Sequence, residues 1–345
     1  AVPEVCAAAL REGLTLCSGP LLLSLFPFLV VSRLLIQCPE SDLLALPFRL
    51  AAWGIGIRTP CAARVLCIGF LGGFAPAASA AAQAVRTGQL TVEEADALLP
   101  ACICSGPSFV VLTVGQSLLS SAELGVLLFA SQITANYLTA ALLNRFAGVR
   151  SVKPGSAAPA SHAPPRLDEI LADAAITYCK LCGFILFFRM LAAGAGALLP
   201  AGAGTLCAIL LEVCSGCDLA SRTGRWGSLL CCAALSVQGL SVLLQVRTIC
   251  PAEMTLHPLY RARILHLPLS LALFYLLLPG GEADVFSTLP ARVLLMRRVP
   301  PDCALLVFAV CCMAACTLRS GIRQVEQKQM ARNAGGCCIN SKTLL

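Results

Sequence analysis

Charge is what this sequence has least of. Of its 345 residues only 12% are Asp, Glu, Lys or Arg, against about 25% in an ordinary soluble protein. So little charge cannot clothe a water-soluble surface, and an ordinary soluble globular domain is excluded. Histidine is scarce as well. The three present (His162, His257, His266) lie away from the paired cysteines, which leaves structural zinc without its usual compact ligand set. Aromatics are 6% of the chain and do not interleave with basic residues in a stripe, so the net charge of +7 does not mark a nucleic-acid surface. The motifs of soluble catalysis are missing too. There is no HExxH, no P-loop and no GxGxxG after a strand, and Ser-Gly pairs such as Ser18-Gly19 lack the nucleophile-elbow context. No histidine is placed to act as base to a serine. The chain is expected not to be an enzyme and to need no cofactor.

What is abundant is apolar sequence. Hydrophobic residues make up 58% of the chain and the mean hydropathy is +0.82. In a bilayer such a composition is natural, because lipid replaces water around the outer faces. The length suits roughly seven to nine segments of about 20 residues. The 21 cysteines lie mostly within apolar runs, as at Cys231-Cys232, and read as small polarisable packing residues. The CxxC pairs Cys179/Cys182 and Cys214/Cys217 and the CxC pair Cys102/Cys104 lack the spacing of a closed zinc site. A thiolate Cu(I) site is the other chemistry they allow.

Hydropathy divides the chain into a first membrane repeat (1–146), a linker (147–165), a second membrane repeat (166–318) and a basic tail (319–345). Spans are expected near 14–36, 101–119 and 124–146 in the first half, and near 170–193, 227–246, 264–278 and 303–318 in the second. The first run is too long for a signal-peptide core and reads as retained. Two apolar stretches look broken rather than spanning. Residues 64–84 carry Gly69, Gly72, Gly73 and Pro76, and residues 205–221 carry Glu212, Gly216 and Asp218. After the first, Thr91 and Glu94 have the spacing of a capping box. The linker, with Pro154, Pro159, Pro164 and Pro165, reads as flexible.

The two halves follow the same order, and broken segments at matching places in two halves point to a transporter-like binding site. Treating 64–84 and 205–221 as re-entrant hairpins puts the linker and the tail together on the cytoplasmic side. Arg145, Arg150, Lys153 and Arg166 then fall inside with Arg319, Arg323 and Arg332, as the positive-inside rule asks. Residues 280–300, with Arg292, Arg297 and Arg298, run against it. The expected fold is an all-α polytopic membrane protein, an inverted-repeat helical bundle with two re-entrant hairpins.

Within it, Glu212 is the sharpest candidate. A carboxylate flanked by Leu210, Leu211 and Val213 costs free energy in lipid, and such residues mark substrate or ion pathways by default. The alternative is a carboxylate near the interface, meeting water. With no Lys or Arg before Arg222 in its segment, its partner is expected from another segment or from a ligand, and Gly216 is expected to let the backbone turn. Gly73 and Pro76 mark the first break. Ser105, Gly106 and Pro107 interrupt a span and free carbonyls for a ligand, or else make a packing kink. Gln238 and Gln245 suit a polar ligand, or equally contacts between helices, the reading given to Asn136.

At these residues the sequence resembles the YlbJ-type sporulation integral membrane proteins of the nucleoside-recognition, or Gate, superfamily. The stretches that carry the resemblance are Glu12-Gly-Leu14 with Leu25-Phe-Pro-Phe28, Gly72-Gly-Phe-Ala-Pro76, Thr87-Gly-Gln-Leu-Thr91 with Glu93-Glu-Ala95, and Ser105-Gly-Pro-Ser-Phe109. In the second half they are Leu211-Glu-Val-Cys-Ser-Gly216 and Ser236-Val-Gln-Gly-Leu-Ser-Val242, followed by Gln245 and Arg247. The family's Gly-aromatic-Pro-x-Gly reads Gly73-Phe-Ala-Pro76-Ala here, and its Gly-Gly pair reads Gln238-Gly239. The resemblance implies a multi-pass cell-membrane protein of endospore formation, in the mother-cell or forespore membrane of a spore-forming bacterium, of transporter-like build and recognising a small polar, nucleoside-like solute or an ion. The alternative is a scaffold of the forespore envelope with a vestigial transporter fold. The expected partners are the lipid bilayer, a small-molecule or ion ligand and a second copy of the chain, with nucleic acid excluded.

Overall fold

The computed structural model describes residues 2–37, 43–148 and 167–278. All of them fall in one compact unit, Ala1–Met296. The span expected at 303–318, the tail and the linker beyond Gly148 lie outside the described residues.

Among the described residues every element is helical and there is no strand. In chain order they are α1 (Val2–Ser18), α2 (Pro20–Gln37), α3 (Leu46–Gly54), α4 (Pro60–Gly72), α5 (Phe74–Arg86), α6 (Val92–Cys102), a π-helix (Ser108–Leu118), α7 (Ala122–Ala147), α8 (Leu167–Leu198), α9 (Ala201–Leu211), α10 (Val213–Ser221), a 3-10 turn (Gly224–Trp226), α11 (Gly227–Val237), α12 (Gly239–Ile249) and α13 (His257–Leu277). Four stretches are long and apolar enough to cross a membrane: Val2–Leu23, Ala122–Ala147, Leu167–Leu198 and Gly224–Ile249.

Large apolar side chains lie on the outside of the bundle as well as in its core. On α7 the buried face carries Ser131, Gln132, Asn136, Thr139 and Asn144, while Val126, Leu138, Leu142 and Phe146 point outward. The exposed set on α8 likewise holds Ile176, Phe187 and Leu191. Large apolar side chains outside and polar groups inside, most of them hydrogen-bonded, suit a surface solvated by lipid.

Local chemistry fixes the interruptions. α4 ends at Gly73, whose φ of +82° is open to glycine and costly for other residues. The chain then folds back: a Cβ on Gly69 would lie 3.2 Å from that of Ala77, across the turn. α9 and α10 fold back in the same way about Glu212, and a Cβ on Gly216 would come 2.8 Å from the Ile209 Cα. The thirteen-residue arms α4 and α5 each measure about 20 Å at 1.5 Å per residue, short of the roughly 30 Å hydrocarbon layer. The other two interruptions differ, since their arms run on from each other. α6 stops at extended Ile103 before Pro107 starts the π-helix, and α11 passes into α12 through left-handed Gln238, φ +63°. The Thr91–Glu94 capping box opens α6, as its spacing in the sequence indicates.

One order therefore occurs twice: a fold-back pair, an interrupted helix, a long helix. It is α4–α5, α6–π and α7, then α9–α10, α11–α12 and α13. Packing between the two sets comes in exchanged pairs. α5 packs on α12 and α10 on the π-helix; α6 packs on α13 and α11 on α7; and α7 packs on α13.

Candidate functional site

Glu212 caps α10. It is 2% exposed, with φ −153° and ψ 126°. Its carboxylate accepts from the backbone N–H of Cys214 at 2.8 Å and of Ser215 at 2.7 Å, and from the Ser215 hydroxyl at 2.8 Å. Its partners are thus on its own turn and not, as the sequence led us to expect, on another segment. A residue that looks unpartnered in an apolar run is here the N-cap that makes α10 possible. Gly216 also differs from expectation: it permits the close approach of the two arms and does not itself make the turn.

Beside this cap lies a cleft of about 560 Å³ between α1, α8, α9 and α10. Its volume is in the range of small-molecule sites. Its polar lining is Glu12, Arg189, Thr205, Ser215, Asp218, Arg222 and Thr223, and small residues such as Gly204 supply much of the wall. Arg189 of α8 reaches Glu12 of α1 at 2.8 Å. Arg222 pairs with Asp218 one helical turn away at 2.9 Å. The Arg189 Nε is buried and has no partner, and the charges acting on this guanidinium include Glu212 as well as Glu12. Ser215 links cleft to cap, since its hydroxyl both lines the cleft and donates to Glu212. Reasoning from the sequence did not place Arg189 and Glu12 in a site. A signal existed for Arg189, a cation inside the apolar run 170–193. Its partner, 177 positions away, has no local signature.

The other residues singled out in the sequence fall into two clusters. Gly73, Ser105, Gly106 and Pro107 stand together: a Cβ on Gly73 would lie 2.8 Å from the Gly106 nitrogen. Pro76 sits buried in the first turn of α5, where its missing N–H costs no helical bond. Gln238 is beside Glu212, because a Cβ on the following Gly239 would be 2.9 Å from the Glu212 nitrogen. Each fold-back tip thus meets the interrupted helix that follows it. No hydrogen bond joins Glu212 to Ser105, Gly106 or Pro107 among the described residues. Gln238 and Gln245 are 1% and 2% exposed. Gln245 donates to the Ser241 hydroxyl at 2.8 Å, and the amide oxygens of both glutamines lack a donor. Asn136 donates to the Ile103 carbonyl at 3.3 Å, a contact between helices.

A second polar cluster joins α7, α11 and α13. The Gln132 carbonyl can only accept, so His266 Nε2, at 3.2 Å, carries the proton and donates to it. His266 Nδ1 then accepts from the Ser236 hydroxyl at 2.5 Å, and Ser236 accepts from Ser270 at 3.0 Å. This chain is satisfied along its length and reads as packing. Among the described residues no group of three His, Cys, Asp or Glu is placed to hold a metal ion. No protein-family model, curated protein or solved structure matches the chain.

Proposed function

We propose that the protein is a polytopic membrane protein that binds a small polar solute in the cleft beside the Glu212 tip and carries it by alternating exposure. The supporting observation is the exchanged packing of the two sets of helices around α7 and α13, with each fold-back tip seated on an interrupted helix. Contacts that map onto one another under exchange suit an internal repeat related by an approximate two-fold axis. On this proposal the fold-back pair α4–α5 does not cross, and α6–π, α7 and α8 are the three crossings that precede α9. An odd number of crossings would start the second set on the opposite side, which is the inverted-repeat topology that this reading assigns. In this reading α4–α5 and α9–α10 are re-entrant, and their tips meet the interrupted helices within the membrane, the arrangement that forms solute sites in such transporters. In the cleft, the Arg189 and Arg222 guanidinium groups offer donors, and Glu12, Asp218 and the Ser215 oxygen, whose one proton goes to Glu212, offer acceptors. That mixture suits a neutral, hydroxyl-rich or zwitterionic molecule.

The role in endospore formation and the nucleoside-like class of solute rest on the sequence resemblance alone. The experiment is uptake of radiolabelled uridine and adenosine into liposomes holding the purified full chain. Saturable uptake is expected, reduced about tenfold or more by Glu212→Gln, as loss of a charge-assisted contact of about 1.4 kcal/mol or more implies. Absence of uptake, together with normal spore yield for Glu212→Ala at normal abundance, overturns the reading in favour of the envelope scaffold.

A further inference from the structure

One side chain reaches a carbonyl at each of the two helix breaks, and at Ile103 it shares that carbonyl with Asn136. Ile103 ends α6, and the residue four positions on, which would donate to its carbonyl in a continuing helix, is Pro107, with no N–H. Ser236 lies in the last turn of α11, where carbonyls lose their helical donors. Arg263 of α13 donates one NH₂ group to the Ile103 oxygen at 2.7 Å and the other to the Ser236 oxygen at 3.3 Å. It is 8% exposed, and no carboxylate among the described residues pairs with it. A buried cation that lacks a counter-anion is costly unless its surroundings are rich in acceptors, and here the acceptors are these two carbonyls.

Converging carbonyls at broken helices are what bind alkali cations in membrane transporters. A guanidinium at the same place supplies a positive charge and two donors without leaving the chain. We infer that Arg263 is a tethered replacement for a monovalent cation, and that it fixes the interrupted helices to one another so that the protein needs neither sodium nor potassium for its closed packing. Arg263 is a positioning residue, since it touches neither the cleft nor Glu212 in the hydrogen bonds described. The inference rests on the membrane reading above but not on the identity of the solute.

The test uses purified full-length protein in lipid nanodiscs, without solute. Thermal unfolding is followed in sodium, potassium or choline chloride at one ionic strength. The wild type is expected to unfold at the same temperature in all three. Arg263→Ala should unfold lower in choline. Adding sodium, or ~20 mM guanidinium, well below denaturing levels, should restore it by about 3 °C or more, a shift readable in a domain of this size. Arg263→Gln, which keeps a donor and loses the charge, is measured beside it and should show the same recovery. Stabilisation of the wild type by sodium overturns the inference, and so does an Arg263→Ala or Arg263→Gln protein that no cation stabilises. Variants that cannot be recovered even with sodium and guanidinium present throughout overturn it as well, because a diffusible cation should then fill the place. Each of these outcomes is independent of nucleoside uptake, so failure here leaves the solute reading to its own experiment.

Discussion

Gly239 stands against the backbone of Glu212: a Cβ there would lie 2.9 Å from the Glu212 nitrogen and from the Leu211 carbonyl. With φ at +69°, a side chain at this position meets both strain and backbone. Gly239→Ala is expected to lower stability by at least about 1–2 kcal/mol, the cost of left-handed backbone for an L-residue, before any clash is counted. Gly183→Ala on α8, where nothing lies within 4 Å, is the control and should leave stability unchanged or slightly raised. Thermal unfolding of both in the same nanodiscs decides it.

Asp96 of α6 holds the approach to α13 from the other half of the chain. Its carboxylate accepts from the Thr255 amide at 2.9 Å, the Thr255 hydroxyl at 2.8 Å and the Leu256 amide at 3.5 Å. Asp96→Ala leaves these donors without their acceptor, at about 1–3 kcal/mol for the buried part. Leu256, at φ +57°, would lose what holds it there. Faster cleavage after exposed Glu253 by a glutamate-specific protease is the expected result. Unchanged cleavage would show that the segment is held by other contacts.

The pair of Arg189 and Glu12 is asymmetric, with side chains 8% and 52% exposed. Losing Glu12 strands a buried cation, whereas losing both charges does not. Glu12→Gln should therefore lower the unfolding temperature more than the double variant Glu12→Gln/Arg189→Met. The reverse order would mean that the cleft already supplies Arg189 with water or another anion.

Thr91 accepts from the Glu94 amide at 3.2 Å, and Glu94 answers with bonds to the Thr91 amide at 3.3 Å and to the Thr59 hydroxyl at 2.6 Å. Thr91→Ala should cost about 1 kcal/mol, the usual worth of an N-cap. Glu94→Ala should cost more, since it also frees Thr59. Equal losses in thermal unfolding would place the whole effect in the cap.

The places where helices break were legible in the sequence because their causes are local. Glycine at 73, proline at 107 and the Gln238-Gly239 pair each disturb the backbone where they stand, whereas the turn expected at Gly216 falls at Glu212. How the chain proceeds from a break was read from matched places in the two halves, which set 64–84 and 205–221 apart as hairpins and left 227–246 a single span; neither Gly73 nor Gln238 carries that distinction by itself. The start of the first helix at Val2 was hidden, since Glu4, Arg11 and Glu12 made 2–13 look polar while α1 packs along α8. The π-helix had no signal. At the site, Glu212 drew notice as a charge in an apolar run, yet its hydrogen bonds run to amides two and three residues on, which a count of nearby cations cannot find.

The packing of α7 on α13, with the exchanged contacts around it, makes the two sets of helices complementary in the manner of subunits in an isologous dimer. Each offers the other the same kinds of patch. Because both sets belong to one chain, each meets the other at the effective concentration that the connection between them sets.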